Sequence, residues 1–461
     1  MEKILAAVDA ALPAALERLF ALLRIPSISA QPEHAADCRA AAGWTRALLE
    51  ELGFSARLSE TTGLPGVIGL NHEAGPNTPH VLFYGHYDVQ PVDPRALWHS
   101  DPFDPHLEDG PRGQKIVARG AVDDKGQVIS FLEAVRAHRA VNGKLPVRLT
   151  VLLEGEEENG SPSLAELLLN ERETLAAADF VYVADTNMWD PATPAITASL
   201  RGLAAMEVRL HGPSRDLHSG LFGGIALNPI YALVHILGQL KDDTGRIQLP
   251  GFYDGVQEVS AEQQAAWAEL GFDASAFLGE VGLTTPAGET NQIALAQLWA
   301  RPTAELNGIY GGYQGEGSKT VIPAHATAKL TFRLVAGQDP VRVQESFEHF
   351  ITARLPPGAR AEFKRGGAAP GFSLHPGAPF LTAARTALAE EFGKPAALIG
   401  SGASIPVVEA FRTHLGLDTL LVGFGLDDDC IHSPNEKFDV ACFHRGTRAH
   451  ARLLHLLAKT S

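Results

Sequence analysis

Between Leu149 and Gly160 the chain passes directly from an apolar run into clustered carboxylates. Leu149-Thr-Val-Leu-Leu153 is β-branched and apolar and predicts a buried strand. Glu154, Glu156, Glu157 and Glu158 follow around Gly155, and Asn159-Gly160 closes the turn. Adjacent carboxylates at the end of a buried strand repel one another, so something must offset that cost. A solvated acidic loop is one reading. The other comes from three further turns that carry acids or histidine after apolar runs: His86-Tyr-Asp88, Asp123-Asp124-Lys-Gly126 and Asp185. In an open α/β sheet, turns at the carboxyl ends of strands converge on one crevice. Histidines and carboxylates gathered there suit a pair of divalent metals.

At 461 residues the chain exceeds one typical core, so two domains are expected. A formal net charge of −16, with no Lys/Arg-rich run, excludes nucleic-acid phosphates as a partner. The three cysteines (Cys38, Cys430, Cys442) have no paired spacing, which implies free thiols in a reducing compartment. Cys430 lies two residues from His432 and is read as a spectator thiol rather than a ligand. Glu2, Asp9, Pro13, Glu17 and Arg18 interrupt any apolar stretch of a secretory signal. No run approaches the roughly 18 apolar residues that span a bilayer. A cytoplasmic protein without membrane contact is expected.

Ile4, Leu5, Val8, Leu12, Leu16, Leu19, Phe20 and Leu23 recur at helical spacing, with Pro13 expected to break or kink the helix. A second amphipathic helix is predicted over 35–52, stopped by Gly53. Strands are predicted over 67–71, 80–84, 116–118 and 180–184, and a helix over 128–140. After Ala195 the texture changes. One alternating strand is predicted over 196–210, a helix capped by Asn228-Pro229 through Leu240, a helix over 263–270, a strand over 326–334 and a helix over 343–355. This block, 198–372, reads as an inserted α+β domain. From Ala378 long helices and apolar strands (396–399, 419–422) resume.

Two local patterns carry chemistry by themselves. His86 and Asp88 alternate on an extended segment and so share one face. Asp88 can then take the ring N–H that a metal does not use. Asp123 and Asp124 stand where a helix begins, and simple N-terminal capping is the alternative there. Gly312-Tyr-Gln-Gly-Glu-Gly317-Ser-Lys-Thr320 nearly spells a phosphate loop. However, Ser318 separates glycine from lysine, and an extended segment follows instead of a helix.

Taken in order, Gly85-His-Tyr-Asp-Val-Gln-Pro91, Arg119-Gly-Ala-Val-Asp-Asp-Lys-Gly126, Glu154-Gly-Glu-Glu-Glu-Asn-Gly-Ser161 and His432-Ser-Pro-Asn-Glu436 resemble the two-metal peptidase family. That family includes carnosinases, cytosolic non-specific dipeptidases, glutamate carboxypeptidases, acetylornithine deacetylases and succinyl-diaminopimelate desuccinylases. The resemblance runs from Ile25-Pro-Ser to the C-terminal helix. It implies an α/β fold of two domains. A catalytic domain (1–197 and 373–461), with a mixed, mostly parallel sheet flanked by helices, is interrupted by an α+β lid and dimerisation domain (198–372). It also implies two zinc ions per subunit, with manganese or cobalt as substitutes. His86 and Asp185 match the ligands of one metal, Glu158 and His432 those of the other, and Asp123 the bridging carboxylate. Asp88 matches the residue orienting the first histidine, and Glu157 the general base. A cis peptide bond is implied before Asp124.

Within the family the chain resembles the dipeptidase branch. Asp185 occupies a position that tends to be Asp in enzymes acting beside a free amine, and the inserted domain is long. His218, Thr320, Arg333 and Ser404 match substrate-contacting positions, with His218 reaching the neighbouring subunit's metals in a homodimer. A small peptide substrate is implied. Arg333 would pair with the peptide's terminal carboxylate; on residues alone, a local salt bridge for Arg333 and a turn cap for His218 are the favoured readings. The apolar positions of the Asn228-capped helix offer a dimer face or a face packed on its own sheet. Gly400-Ser-Gly-Ala403 departs from the branch, which commonly has an arginine in this run. An N-acyl-amino-acid deacylase on the same site and an inactive metal-binding scaffold are the rival readings. The unliganded Glu157 argues against the scaffold.

Overall fold

The computed structural model describes residues 1–402 and 405–459. The chain divides into two compact units: Met1–Ala198 with Leu374–Ile399 and Pro406–Ser461, and Ser199–Ser373 with Gly400–Ile405.

The first unit is built on a mixed sheet. Its strands run in the order Ser55–Ser59, Gly66–Asn71, Arg148–Glu154, His80–His86, Phe180–Val183, Thr419–Leu421 and Ala195–Leu200. The central pairings, from Arg148–Glu154 to Thr419–Leu421, are parallel, and the flanking pairs are antiparallel. Every residue of His80–His86 is buried, which suits a strand covered on both faces. One cover is the Lys125–Asn142 helix, against which Glu2–Leu23 and Val440–Leu457 pack. Phe131 of this helix stacks on Phe83 at 3.7 Å, fixing helix to sheet.

Pro13 does not break the first helix. Glu2–Leu23 is one helix of 22 residues with Pro13 inside it. The proline lies on the exposed side, so the carbonyl it frees meets water. Ile4, Leu5, Val8, Ala15, Leu19 and Leu23 bury the opposite stripe.

In the second unit, antiparallel strands run in the order Thr303–Gly311, His325–Leu334, Gly202–His211 and Arg360–Ala369. The Pro229–Leu237 and Pro340–Thr352 helices close a core with Met206, Val208, Leu233, Ile236, Phe332, Phe347 and Phe350. Leu233, Ile236 and Leu237 therefore pack on their own unit, while Tyr231 and Val234 stay exposed. The alternating run 196–210 forms two strands, Ala195–Leu200 and Gly202–His211, parted at Arg201. The break falls where Gly202 approaches other backbone closely: a Cβ there would stand 2.4 Å from the Ala369 carbonyl oxygen.

Candidate metal centre

The central parallel strands deliver the chemistry at their carboxyl ends. His86 is the last residue of its strand, and Asp88 follows two residues on. Asp185 lies just beyond Phe180–Val183. Glu157 and Glu158 open a tight turn, Glu157–Asn159, after Arg148–Glu154. Asp123 precedes the Lys125–Asn142 helix and is joined to Asp124 by a cis peptide bond. His432 arrives from a loop in which Cys430, His432 and Asn435 all have positive φ, at 55°, 60° and 64°.

Two groups of donors result, His86 with Asp123 and Asp185, and Asp123 with Glu158 and His432, each with ligand atoms within 4.8 Å of one another. Asp123 belongs to both. Its Oδ1 is 3.2 Å from His86 Nε2, and its Oδ2 is 3.0 Å from His432 Nε2. His432 Nε2 is also 3.1 Å from Glu158 Oε2, and His86 Nε2 is 3.7 Å from Asp185 Oδ2. The other ring nitrogen of His86, Nδ1, is 3.1 Å from the Asp88 carbonyl oxygen and 3.3 Å from its Oδ1. That oxygen is buried and meets no other hydrogen-bond donor among the described residues. Nε2 is thus left to face the carboxylates, as a metal-ligating tautomer requires.

The electrostatics are those of a cation site. Burial pushes the Glu157 carboxyl up to about 8, against the pull of His86. Burial likewise raises Asp185 and Glu158, each further raised by the charge of Asp123. Asp123 is buried too, but its contacts with His432 and His86 outweigh that and hold it below the ordinary carboxylate range. Contacts with Asp123 and Glu158 raise His432 to about 10. Three carboxylates and two imidazoles at these spacings fit two divalent ions sharing one carboxylate.

Several supporting residues carry no signal of their own in the sequence. Gln90 Nε2 donates to the Glu158 carbonyl oxygen at 3.1 Å and to Glu158 Oε2 at 2.7 Å. Asp88 Oδ2 accepts from the Ser29 hydroxyl at 2.6 Å and from the Glu158 amide at 3.1 Å. Glu436 accepts from Arg119 and from the amides of Gly120, Val122 and Asp123. Gln90 and Glu436 stand inside the quoted motifs, but nothing in one sequence distinguishes them from loop polarity, whereas Asp88 is legible from its alternation with His86.

The remaining expected site residues lie in the second unit. His218 ends the short Leu217–His218 strand, and its Nδ1 accepts from the Gly220 amide at 2.9 Å, so it does cap a turn. Thr320 is beside it, its carbonyl accepting from the Ser219 amide at 3.0 Å. Arg333 lies on His325–Leu334 and makes no salt bridge among the described residues. Ser404 falls outside the described residues. Cys430 is exposed, whereas Cys38 and Cys442 are buried. Thr320 leads into the Val321–Ile322 strand, so no helix follows the near-match to a phosphate loop.

The profile of peptidase family M20/M25/M40 matches residues 82–456. The chain belongs to this family. It is 31% identical over 471 residues to the Cys-Gly metallodipeptidase DUG1 of Candida albicans, covering 97% of this chain and 95% of that protein. Human carnosine dipeptidase 1 superimposes with a TM-score of 0.74 at 28% identity, covering 99% of this chain and 98% of that one. An M20 family metallo-carboxypeptidase from Sulfolobus solfataricus superimposes with a TM-score of 0.77 at 31% identity, covering 96% of this chain and 99% of that one. Membership brings a metallopeptidase scaffold with a mixed sheet flanked by helices, as the motifs imply. Among the described residues no helix is long and apolar enough to cross a membrane.

Proposed function

We propose that this chain is a dinuclear-metal dipeptidase that hydrolyses the amide bond of small free peptides. The observation that carries the reading is Asp123, whose two oxygens face two histidines in two donor groups, while Glu157 belongs to neither. His86 and Asp185 would hold one ion, Glu158 and His432 the other, and Asp123 both; zinc suits this set, and manganese or cobalt could replace it. When bound, two such ions supply Lewis acidity and lower the pKa of a water toward neutrality. Glu157 takes the proton of the attacking water and returns it to the leaving amine. Asp88 holds the His86 ring, and Gln90 holds Glu158.

The dipeptidase names of the Candida and human relatives support a dipeptide over a longer chain. The reading includes a cytoplasmic homodimer joined through the inserted unit, in which His218 donates to the developing oxyanion and Thr320, Arg333 and Ser404 contact substrate. Because His218 Nδ1 accepts from Gly220, the neutral ring carries its proton on Nε2, free to donate. The carboxypeptidase relative keeps a second reading in view, release of a C-terminal residue from longer or acylated substrates. A hydrolysis panel decides between them: free dipeptides against their N-acetylated and C-amidated forms, with zinc, manganese and cobalt in turn. Free dipeptides are expected to be cleaved fastest. Faster cleavage of N-acetyl amino acids would transfer the assignment to a deacylase.

A further inference from the structure

The acidic run before His432 takes no part in the metal donor groups. Asp427, Asp428 and Asp429 belong to neither group, and Asp428 and Asp429 meet Lys437 instead. The Lys437 Nζ donates to Asp428 Oδ1 at 3.2 Å, to Asp439 Oδ1 at 3.2 Å and, in the closest contact, to Asp429 Oδ1. An ammonium has three donors, so three carboxylates satisfy it completely. Arg112 takes outer oxygens of the same acids, at 2.6 Å from Asp428 Oδ2 and 2.6 Å from Asp439 Oδ2. The ammonium thus fills the place that a bound cation would take among these carboxylates.

This cluster closes the neck of a loop. The Lys437 amide donates to the Asp429 carbonyl oxygen at 3.0 Å, and Asp429 Oδ2 accepts from the Leu426 amide at 2.7 Å. Residues 430–436 lie between the two sides of the neck and carry His432. Cys430, His432 and Asn435 have positive φ there, a conformation that non-glycine residues keep where their surroundings fix it. Burial does not fix the His432 ring. Its side chain is 54% exposed, whereas that of His86 is 0% exposed. Packing sets the His86 ring; the loop backbone sets that of His432. Glu436 ties this loop to the Asp123 turn, and Lys437 ties it to its own start.

We propose that Lys437 is a positioning residue for the metal held by Glu158 and His432, and that its ionic clasp with Asp429 governs how firmly that ion is kept. This rests on the two-metal reading above. With the clasp open, the loop would be ordered only as the ion binds, and the entropy of that ordering subtracts from affinity. The ion beside the packed His86 ring does not bear this cost. The two ions therefore differ in their response to Lys437.

The test is chelator competition on the zinc-loaded enzyme, read by elemental analysis. Lys437→Met should weaken one of the two ions about tenfold, the lower end of the usual cost of losing a group that orients a ligand, and leave the other as in the wild type. Excess zinc should restore turnover. Lys437→Arg keeps the charge and should fall between. In a His432→Ala background, Lys437→Met should change the retention of neither ion, because the residue through which it acts is gone. Equal weakening of both ions overturns the proposal, as does a full effect in the His432→Ala background or wild-type retention by a folded Lys437→Met enzyme. Should Lys437→Met fail to fold, Asp429→Asn, of equal size and uncharged, decides by the same criteria. A wild type that binds fewer than two ions overturns the two-metal reading instead. Hydrogen exchange of the Lys437 amide in metal-free protein then judges the clasp alone: faster exchange in Asp429→Asn supports it, and an unchanged rate overturns it.

Discussion

Arg119 and Glu436 form an ion pair at 2.7 Å with both side chains about 1% exposed. Glu436 also accepts from the amides of Gly120, Val122 and Asp123, so the loop that supplies His432 is tied to the turn that supplies Asp123. Removing one partner of a buried pair strands the other charge, at a cost of about 3–5 kcal/mol. Arg119→Met should lower the melting temperature and weaken retention of both metals in a chelator competition. Adding Glu436→Gln should cost less than the sum of the two single changes. Strict additivity in that cycle would show that the pair is not the link between the two loops.

Glu157 stands next to Glu158 but outside both donor groups. Glu157→Gln should therefore bind two metals and melt as the wild type does, yet lose turnover by roughly 10²–10⁴-fold, the usual worth of general acid–base catalysis. Elemental analysis and single-turnover rates read the two effects separately. Loss of a metal in the variant would make Glu157 a ligand instead.

The backbone on either side of Asp185 packs closely against Gly423. A Cβ on Gly423 would stand 1.9 Å from the Thr186 carbonyl oxygen and 2.2 Å from that of Ala184. Gly423→Ala must push the Asp185 segment aside, and overpacking of this kind typically costs about 1–3 kcal/mol. The metal on the His86–Asp185 side should be weakened more than the one on the Glu158–His432 side. A variant with wild-type melting and equal occupancy of both sites would exclude this role for Gly423.

Two buried histidines should each cost the fold stability as pH falls below about 6.5. Burial pushes the imidazole of His80 down to about 4 and that of His450 down to about 3, from an ordinary value of 6.5. Both rings are held neutral: His80 lies 2.8 Å from the Ala177 carbonyl oxygen and the Thr150 hydroxyl, and His450 lies 2.8 Å from the Tyr182 hydroxyl. Below pH 6.5 the unfolded chain protonates these rings and the folded chain does not. The unfolded state therefore holds more protons, and stability falls as pH drops from about 6.5 toward 4, by about 1.4 kcal/mol per pH unit for each ring. Buried carboxylates with raised proton affinity, Glu157 among them, act in the opposite direction over this range, so the ring contribution is read as a difference: in urea unfolding of metal-stripped protein between pH 4.5 and 6, His450→Gln should lose less stability per pH unit than the wild type. An unchanged slope in the variant would mean that His450 is already protonated in the fold.

The parts of the fold that could be read in advance were those with burial on a regular period. The apolar runs ending at His86, Glu154 and Asp185 are fully buried strands, and an acid after such a run has few bland explanations. The edge strands Thr303–Gly311 and Arg360–Ala369 escaped because most of their residues are exposed, which leaves little hydrophobic alternation. Pro13 misled because its local propensity is overridden by packing of the opposite face. The split at Arg201 was hidden because alternation continues through it, and the close approach at Gly202 is a tertiary fact. Gln90 and Glu436 were invisible for a related reason. A buried polar side chain looks like loop polarity until the amides and carboxylates it meets are known.

The last prediction concerns whether a site is completed by a second chain. His218 is exposed, and its Nε2 is left free to donate because Nδ1 accepts from Gly220. Tyr231 and Val234, 78% and 52% exposed on the same unit, provide apolar surface that this unit's own core does not cover. In a dimer whose sites each combine one chain's Glu157 with the other chain's His218, loss of either residue disables every site. A mixed dimer of His218→Ala and Glu157→Gln chains then restores one intact site of two. An oxyanion donor is typically worth about 2.7–4 kcal/mol, so each parent should be at least about a hundredfold slow. After subunit exchange at equal concentrations, half of the dimers are mixed and each has one working site, so about a quarter of wild-type activity should return. If exchange is demonstrated by differential labelling and activity stays at the parental level, His218 acts within its own chain or not at all.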